Sequence, residues 1–155
     1  MSTTGDLADH NRQVLACQEE AFTLAAYLLA DDEAADAAVQ QACLRAYQRH
    51  RRRPDTSVRL LIFREVISLC ARPIGQGVGG PLGALLDLTS RERQSLLLVD
   101  LLGLSYADAT EVLRCTQRQL TRWLASARSS LVQSAERGGR AELPSKSEKP
   151  SPVSA

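Results

Sequence analysis

The chain has 155 residues, of which 44% are apolar and 24% charged, and this composition is ordinary for a soluble protein with a buried core. Its length allows one domain or two small ones, and its net charge of +1 carries no information about a nucleic-acid partner. No apolar run approaches the roughly 20 residues of a membrane span, and the polar, acidic N-terminus does not resemble a signal peptide. We therefore expect a cytoplasmic protein with no membrane insertion.

Charge is distributed unevenly along the first half of the chain. Residues 1–36 hold eight acids and one arginine, net −7, whereas residues 44–72 hold eight arginines and two acids, net +6. Such polarity between neighbouring segments suggests two different partners, or one segment that shields the other. Complementary charges within a single helical bundle would produce the same pattern, and the sequence leaves both interpretations open.

Two helices are predicted before Pro54. After a leader of nine residues, apolar side chains three and four apart predict a first helix from His10 to Ala30. Asp31 or Asp32 is placed to cap a second helix over residues 33–50, where acids in the first turn suit the helix dipole. The arginines that end this helix are candidate phosphate contacts, although cations are also ordinary at a helix C-terminus.

One face of the second helix carries a polar row distinct from its apolar face. Asp36, Gln40 and Leu44 are four residues apart and so stack on the same side of the helix. We name them the α2 row. An acid, an amide and a leucine in one row are compatible with a protein-binding strip. A solvated face with one exposed leucine is the simpler alternative.

A third helix and a linker follow. The nearly continuous apolar residues of Thr56–Cys70 predict a helix that is covered on more than one side. Five of the nine glycines fall between Ile74 and Gly83, which indicates a flexible linker. Beyond Arg137, the lack of large apolar residues predicts disorder. The predicted fold is all-α, with one helical domain over residues 10–72, a linker over 73–83, a second helical domain over 84–137 and a disordered tail over 138–155.

Three residue pairs in the second domain signal helix starts. In a capping box, a hydroxyl side chain accepts from the third backbone N–H of the helix while an acid or amide reaches back to the first. Thr89 with Glu92 and Thr116 with Gln119 fit this pattern well, and Ser105 with Asp108 is a looser version of it.

The helices that follow these caps are predicted to form a helix-turn-helix. Gly103 ends the first helix, the second runs from Tyr106 to about Leu113, and a three-residue turn leads into the third. The last helix of such a motif enters the major groove of DNA with its N-terminal residues leading. An ordinary helical hairpin has the same periodicity. The leading residues, which we name the α7 ridge, are Gln117, Arg118, Thr121 and Arg122, and all can hydrogen-bond to bases or phosphates.

The cysteines, histidines and glycines are not spaced as a metal site, a redox pair or a phosphate-binding loop would require. The cysteines are widely spaced without a C-x-x-C pair, and His10 and His50 are not spaced to join them as metal ligands. The glycines of the linker follow a helix rather than a strand, so they do not form a phosphate-binding loop. We therefore predict no metal, no cofactor and no enzymatic activity. The cysteines, predicted to be small buried side chains in a reducing compartment, are Cys17, Cys43, Cys70 and Cys115.

Two stretches resemble conserved regions of bacterial sigma factors of the extracytoplasmic-function (ECF) type. The fourth conserved region of that family resembles residues 91–113, R-E-R-Q-S-L-L-L-V-D-L-L-G-L-S-Y-A-D-A-T-E-V-L, and their continuation at residues 123–131, W-L-A-S-A-R-S-S-L. The second conserved region resembles residues 34–47, A-A-D-A-A-V-Q-Q-A-C-L-R-A-Y. The resemblance covers roughly residues 10–135, which is most of the chain.

This resemblance implies roles for specific residues. In the family, the second-region helix docks on the clamp of RNA polymerase core enzyme, and its Asp and Gln correspond to Asp36 and Gln40, with Leu44 in the same row. The following helix and the loop before it contact and open the minus-ten promoter element, where Arg72 is retained. The helix-turn-helix reads the minus-thirty-five element, and Arg128 is a further DNA-binding candidate there.

Several positions depart from the family pattern. Glu65 and Leu69 fall near positions where the family usually carries Asn and Asp, and an acid facing phosphates is repelled. Thr121 and Trp123 stand where the family usually carries Lys and Arg, and Arg114 replaces the glycine of the turn. The spacing of Trp123 from the apolar stripe of its helix favours packing or partner binding over base readout.

The sequence therefore predicts a promoter-recognition subunit that binds RNA polymerase core enzyme and promoter DNA and performs no bond chemistry itself. An anti-sigma factor is a further candidate partner. The alternative is a sigma-like adaptor or decoy that binds an anti-sigma factor or polymerase without reading promoters.

Overall fold

The computed structural model describes residues 3–71 and 80–141, and it confirms the all-α prediction. A π-helical turn, Leu97–Leu101, continues the fifth helix directly. Residues 72–79 and 142–155, with Arg72, most of the predicted linker and most of the predicted tail, lie outside the described residues. The helices in the described ranges are α1 Thr3–Leu29, α2 Asp32–Arg52, α3 Val58–Leu69, α4 Gly80–Leu86, α5 Ser90–Leu96, α6 Tyr106–Leu113 and α7 Gln117–Ala141.

The first three helices pack against one another around a small-residue seam. Ala42 and Ala46 of α2 are fully buried, so the backbone of α2 approaches its neighbours closely. Phe63 of α3 and Leu24 of α1 fill the space between the helices. Eight of the twelve residues of α3 are buried, which fits the prediction that this helix is covered on more than one side.

Side chains local in sequence set the starts of α2 and α3. Asp31 caps α2 by accepting a 2.7 Å hydrogen bond from the backbone N–H of Ala34, and Ser57 caps α3 by accepting from Leu60. Helix α1 begins at Thr3, seven residues before the predicted start at His10. The leader lacks apolar periodicity, but each residue added to an existing helix gains a backbone hydrogen bond, so polar residues there do not prevent a helix.

The second group of helices extends beyond its predicted limits at both ends. Residues 80–83, predicted to be linker, belong to α4, and residues 138–141, predicted to be tail, belong to α7. Once a helix exists, each added residue gains a hydrogen bond for one fixed residue, so helices extend into sequence with weak intrinsic propensity.

Helix α7 is the element against which the second group assembles. Helices α4, α5 and α6 all pack against it, and its apolar stripe of Leu120, Leu124 and Ala127 is buried as predicted. Gly103, with φ +69°, turns the chain after the π-helical turn, as its position predicted.

The two groups of helices are in contact in the described residues. Helix α3 packs against α6, and the guanidinium of Arg64 donates a 3.0 Å hydrogen bond to the backbone oxygen of Glu111. Helix α1 also contacts the π-helical turn, and the buried residues of both groups form one continuous cluster. The domain boundaries at residues 72 and 84 remain sequence predictions.

Candidate nucleic-acid and protein interfaces

The helix-turn-helix is held by the capping residues that its sequence predicted. Thr89 and Glu92 form a complete capping box, and the hydroxyl of Ser126 on α7 donates to the Glu92 carboxylate, which ties α5 to α7. The Ser126 hydrogen bond, followed by that from the Thr89 backbone, lowers the pKa of the Glu92 carboxyl. The remaining caps are Ser105, which accepts from the Asp108 N–H at 3.1 Å, and Thr116, which exchanges hydrogen bonds with Gln119 at 3.0 and 3.2 Å.

The turn between α6 and α7 contains a left-handed residue other than glycine. Arg114 has φ 51° and ψ 52°, and its backbone N–H donates to the oxygen of Thr110. A left-handed conformation costs a residue with a Cβ roughly 1–2 kcal/mol relative to the right-handed helix. Arg114 therefore fills, at some cost, the position that suits glycine best.

The α7 ridge is exposed. Gln117, Arg118, Thr121 and Arg122 all lie on the solvent side of the first two turns of α7, whereas the apolar stripe faces α5 and α6. The Thr121 hydroxyl donates a 2.9 Å hydrogen bond to the backbone oxygen of Gln117, so its lone pairs face outward as acceptors. The ridge thus presents two guanidinium groups, an amide and a hydroxyl oxygen to solvent.

Arg128 lies on the same helix but has a carboxylate partner. Its guanidinium forms two parallel hydrogen bonds, 2.9 and 2.6 Å, with Asp100 of the π-helical turn. This contact raises the pKa of the Arg128 guanidinium further above its usual value. The charge of Arg128 is therefore balanced locally, unlike the charges of the α7 ridge, and Arg128 meets a phosphate only if this pair opens.

Trp123 packs within the motif, as its position predicted. Its ring is half-buried, and the guanidinium of Arg91 lies 5.6 Å from the ring centroid, within cation–π range. Arg91 also donates to the backbone oxygen of Leu113 at the end of α6. One arginine thus connects α5, α6 and α7 behind the ridge, which is a contact that the sequence analysis missed because it joins residues far apart in the chain.

The α2 row lies on the surface of the first three helices. The amide of Gln40 donates a 3.0 Å hydrogen bond to the carboxylate of Asp36, which orients both groups. Leu44, one turn further along, is 66% exposed. The three side chains therefore lie on one face of α2, as the spacing predicted, and whether that face binds a protein stays a prediction.

Glu65 does not face phosphates, which corrects the expectation from its sequence position. Only 2% of it is exposed, and its carboxylate pairs with Arg49 at 2.5 Å and more distantly with Arg45 at 3.9 Å. The acid is thus turned into the protein, where a buried carboxylate needs a cation. Leu69, at the other position where the family pattern is broken, is half-buried.

Some arginines of the basic segment, residues 44–72, form ion pairs of this kind and so have their charge balanced within the protein. Arg59 holds Glu20 of α1 through two hydrogen bonds of 3.2 and 2.6 Å, so at least one acid of the first segment complements an arginine of the second. Arg49 is exposed but paired, and the exposed arginines at the end of α2 that form none of these ion pairs are Arg51, Arg52 and Arg53.

The thiols are suited to packing rather than to chemistry. Cys17 and Cys70 are buried as predicted, and burial raises the pKa of each thiol to about 11. Cys43 and Cys115 are only half-buried, which is less than predicted, and burial raises the pKa of these thiols as well. Within residues 3–71 and 80–141, no three histidine, cysteine or acidic side chains are grouped as metal ligands.

Across the same two ranges, none of the helices combines the length and the apolar character that crossing a membrane requires.

Comparisons with known proteins cover only part of the chain. No protein-family model matches it. The ECF RNA polymerase sigma factor SigC of Mycobacterium tuberculosis and the probable RNA polymerase sigma-C factor of Mycobacterium bovis are each 48% identical to it over 50 residues. Those residues are 32% of this chain and 27% of each relative, so the match spans about a quarter of the relatives' length. Together with the all-α fold, this partial similarity supports a sigma factor of the ECF type.

Proposed function

We propose that the chain is a sigma factor that directs RNA polymerase core enzyme to promoters. The observation that carries this proposal is the exposed α7 ridge at the N-terminal end of a fully capped helix-turn-helix. The partial similarity to two sigma factors supports it independently. In this account the ridge reads the minus-thirty-five element, and the first three helices bind core enzyme and the minus-ten element.

The chemistry of the α7 ridge suits duplex DNA. Guanidinium groups bind phosphates or the major-groove edge of guanine, and a glutamine amide matches adenine. Arg118 and Arg122 are one turn apart on α7, so both reach the same stretch of groove, and Gln117 leads the helix. Arg72, the remaining candidate contact, lies outside the described residues.

The minus-ten contact is proposed for the end of α2 and the loop after it rather than for α3. Helix α3 has most of its residues buried, and its Arg59 and Arg64 are engaged by Glu20 and by the backbone of Glu111. The exposed arginines at the end of α2 carry charges that are available to phosphates.

Core polymerase is proposed to dock on the α2 row. A hydrogen-bonded Asp36–Gln40 pair next to an exposed leucine combines directional polar groups with apolar area, which is the composition expected of a protein interface.

The alternative function, an adaptor or decoy that binds polymerase or an anti-sigma factor without reading promoters, has one observation in its favour. On the first half of α7, Arg128 is paired with Asp100. Trp123, at a position where the family usually carries a basic residue, packs behind the ridge. Among the arginines on the first half of α7, promoter affinity then depends on Arg118 and Arg122 alone.

Run-off transcription with purified core polymerase on genomic fragments tests the proposal. We expect promoter-dependent transcripts from the wild-type chain and none from Asp36→Arg, because the substitution reverses the charge of the docking residue. Glu136→Arg, which makes the same change at an exposed acid of α7, is the control and should transcribe normally. A chain that binds core enzyme but yields no transcript from any fragment would be the decoy instead.

A further inference from the structure

The apolar stripe of α7 continues past the helices that cover its first half. Leu120, Leu124 and Ala127 are buried, but the helix runs on to Ala141. Steps of three and four residues carry the same stripe onward through a half-buried leucine, an exposed valine and three exposed small residues. These residues, which we name the α7 end face, are Leu131, Val132, Ala135, Gly138 and Gly139.

The α7 end face lines an open groove whose other walls also carry exposed apolar side chains. The groove has a volume of about 1620 Å³ and is bounded by α1, α4, the π-helical turn and α7. Val132 is 58% exposed, Leu101 of the π-helical turn 44% and Tyr27 of α1 40%, and all three line it. Three of the seven exposed large apolar side chains in the described ranges thus meet in one groove, which is typical of a contact site.

Gly138 and Gly139 have no role within the described part of the chain that requires glycine. Both lie inside α7 without a left-handed conformation, and a Cβ on either would meet nothing within 4 Å. Glycine is unfavourable in a helix relative to alanine, because it loses more conformational freedom on folding. Its advantage on a helix surface is that another backbone can approach closely. The two glycines therefore suit a second helix packed directly against the end of α7.

We infer that the occupant of the groove is the end of α7 of a second copy of the chain, packed antiparallel about a two-fold axis at Ala135. Residues at equal distances before and after Ala135 then face each other across the axis. Val132 meets Gly138 of the second copy, and Leu131 meets Gly139, so each larger side chain lies opposite a glycine. The α7 end face is thus complementary to itself, with knobs that match holes.

The charges of α7 do not oppose this pairing in the described residues. Gln133, Glu136 and Arg137 are turned about 100° or more from Ala135 around the helix, so they remain in solvent. Arg128 is balanced by Asp100. It precedes Ala135 by seven residues, so the axis places the two copies of Arg128 about 20 Å apart along the helices, where their repulsion is screened.

Two other occupants fit the groove less well. Nucleic acid is repelled, because Asp32, Asp87 and Asp100 line the groove and would face its phosphates. A helix of a different protein could cover the apolar side chains, but it would not require Leu131 and Val132 to match the two glycines about one centre. Only a second copy gives that spacing a reason.

The pairing goes beyond the proposed function and does not depend on it. The α7 end face begins nine residues after Arg122, about 13 Å further along the helix, so the second copy leaves the α7 ridge uncovered.

Sedimentation equilibrium of the purified full chain over a range of concentrations measures the pairing, and we expect a reversible monomer–dimer equilibrium. Val132→Asp should raise the dissociation constant of the dimer by about tenfold or more, because it buries an unpaired charge at the centre of the interface. Gln133→Asp adds the same charge one residue along, on the solvent side of α7, and should stay within about twofold of wild type. Circular dichroism should show the same helix content for both variants.

The register is tested by Gly138→Val, which fills the space opposite Val132 of the second copy. The variant should weaken the dimer, although the monomer stays at least as helical because valine is a better helix former than glycine. Adding Val132→Ala to the same chain reopens that space and should recover most of the lost affinity. A double variant that dimerises no more tightly than Gly138→Val would overturn the pairing about Ala135.

Two results would overturn the inference as a whole. One is equal dimerisation of Val132→Asp and Gln133→Asp, which would place the contact elsewhere on the chain. The other is a wild-type chain that stays monomeric at every attainable concentration. Hydrogen exchange of the α7 end face would then identify the occupant, because slow exchange indicates another segment of the same chain and fast exchange a different protein. Neither result affects the sigma-factor proposal, whose test is transcription.

Discussion

Arginine has opposite roles in the first three helices and at the start of α7. Arg49 and Arg59 are held by the carboxylates of Glu65 and Glu20, so they join helices to one another. Arg118 and Arg122 are exposed on the α7 ridge and point to solvent. The difference teaches that a basic segment is not by itself a nucleic-acid surface, because the carboxylates nearby in space decide which charges are free.

The same contrast applies within α7. Arg128 is only six residues from Arg122, yet the π-helical turn brings Asp100 against it. The π-helical turn that follows α5 thus leaves Arg128 paired, whereas Arg118 and Arg122 on the same helix are exposed. The following substitutions break or sharpen this comparison between paired and exposed arginines.

Glu65→Ala is expected to have the largest effect. The substitution removes a buried carboxylate and leaves Arg49 without its partner, but half of the Arg49 side chain is exposed and can be rehydrated. We therefore expect a loss of about 2 kcal/mol in the free energy of unfolding, below the 3–5 typical of a fully buried pair. Urea unfolding measures it. Glu136→Ala, at an exposed acid, should change stability by less than about 0.5 kcal/mol, and a similar value for Glu65→Ala would show that the pair is not structural.

Replacing Arg118 and Arg122 together by alanine should leave stability nearly unchanged and weaken promoter binding. If both arginines contact phosphates, the slope of log affinity against log salt should flatten by about one unit for each. Binding of polymerase holoenzyme to a promoter fragment, titrated at several salt concentrations, provides the measurement. Arg137→Ala removes an exposed arginine from the far end of α7 as the control. Unchanged slopes in the double variant would remove the α7 ridge from the DNA interface.

Arg114→Gly should stabilise the chain by up to about 1 kcal/mol. Glycine relieves the cost of the left-handed conformation at φ 51°, and the larger backbone entropy of glycine in the unfolded chain offsets part of that gain. Arg114→Ala retains a Cβ and should give no such gain, which makes it the matched control in thermal unfolding. If both variants are destabilised alike, the Arg114 side chain makes a favourable contact that outweighs the conformational cost.

Asp100→Asn should have the smallest effect on stability, about 0.5 kcal/mol or less, because both side chains of the Asp100–Arg128 pair are partly exposed to solvent. The substitution releases the charge of Arg128. If Arg128 can then reach DNA, holoenzyme binding to a promoter should gain up to about one unit of salt slope. An unchanged slope would mean that Arg128 is too far along α7 to reach a phosphate.

Features that depend on neighbours in sequence were predicted well. The three caps at Thr89, Ser105 and Thr116 each involve residues three positions apart, and Gly103 needs only its own backbone conformation. The buried stripe of α7 follows from helical periodicity alone. Helix ends were predicted less well, because α1, α4 and α7 all extend into stretches without apolar periodicity. In those stretches the backbone hydrogen bonds gained by lengthening an existing helix maintain the helix without an apolar side-chain pattern.

Contacts that join distant residues were not predicted. Glu65 was placed at a DNA-facing position by its place in the sequence, but Arg49, on another helix, draws it into the protein. The sequence analysis also did not single out Val132, because one exposed valine on a helix has no signature until the fold places Tyr27 and Leu101 around the same groove.

The sequence by itself determined an all-α chain, the helix-turn-helix with its caps and the two rows of residues on α2 and α7, because helical periodicity and capping act over four residues or fewer. Only the tertiary structure decided which arginines are paired, that α3 packs against α6, and that an apolar groove lies open beside the end of α7. Those outcomes depend on which side chains meet across helices, and ion pairing and burial follow from that meeting rather than from position along the chain.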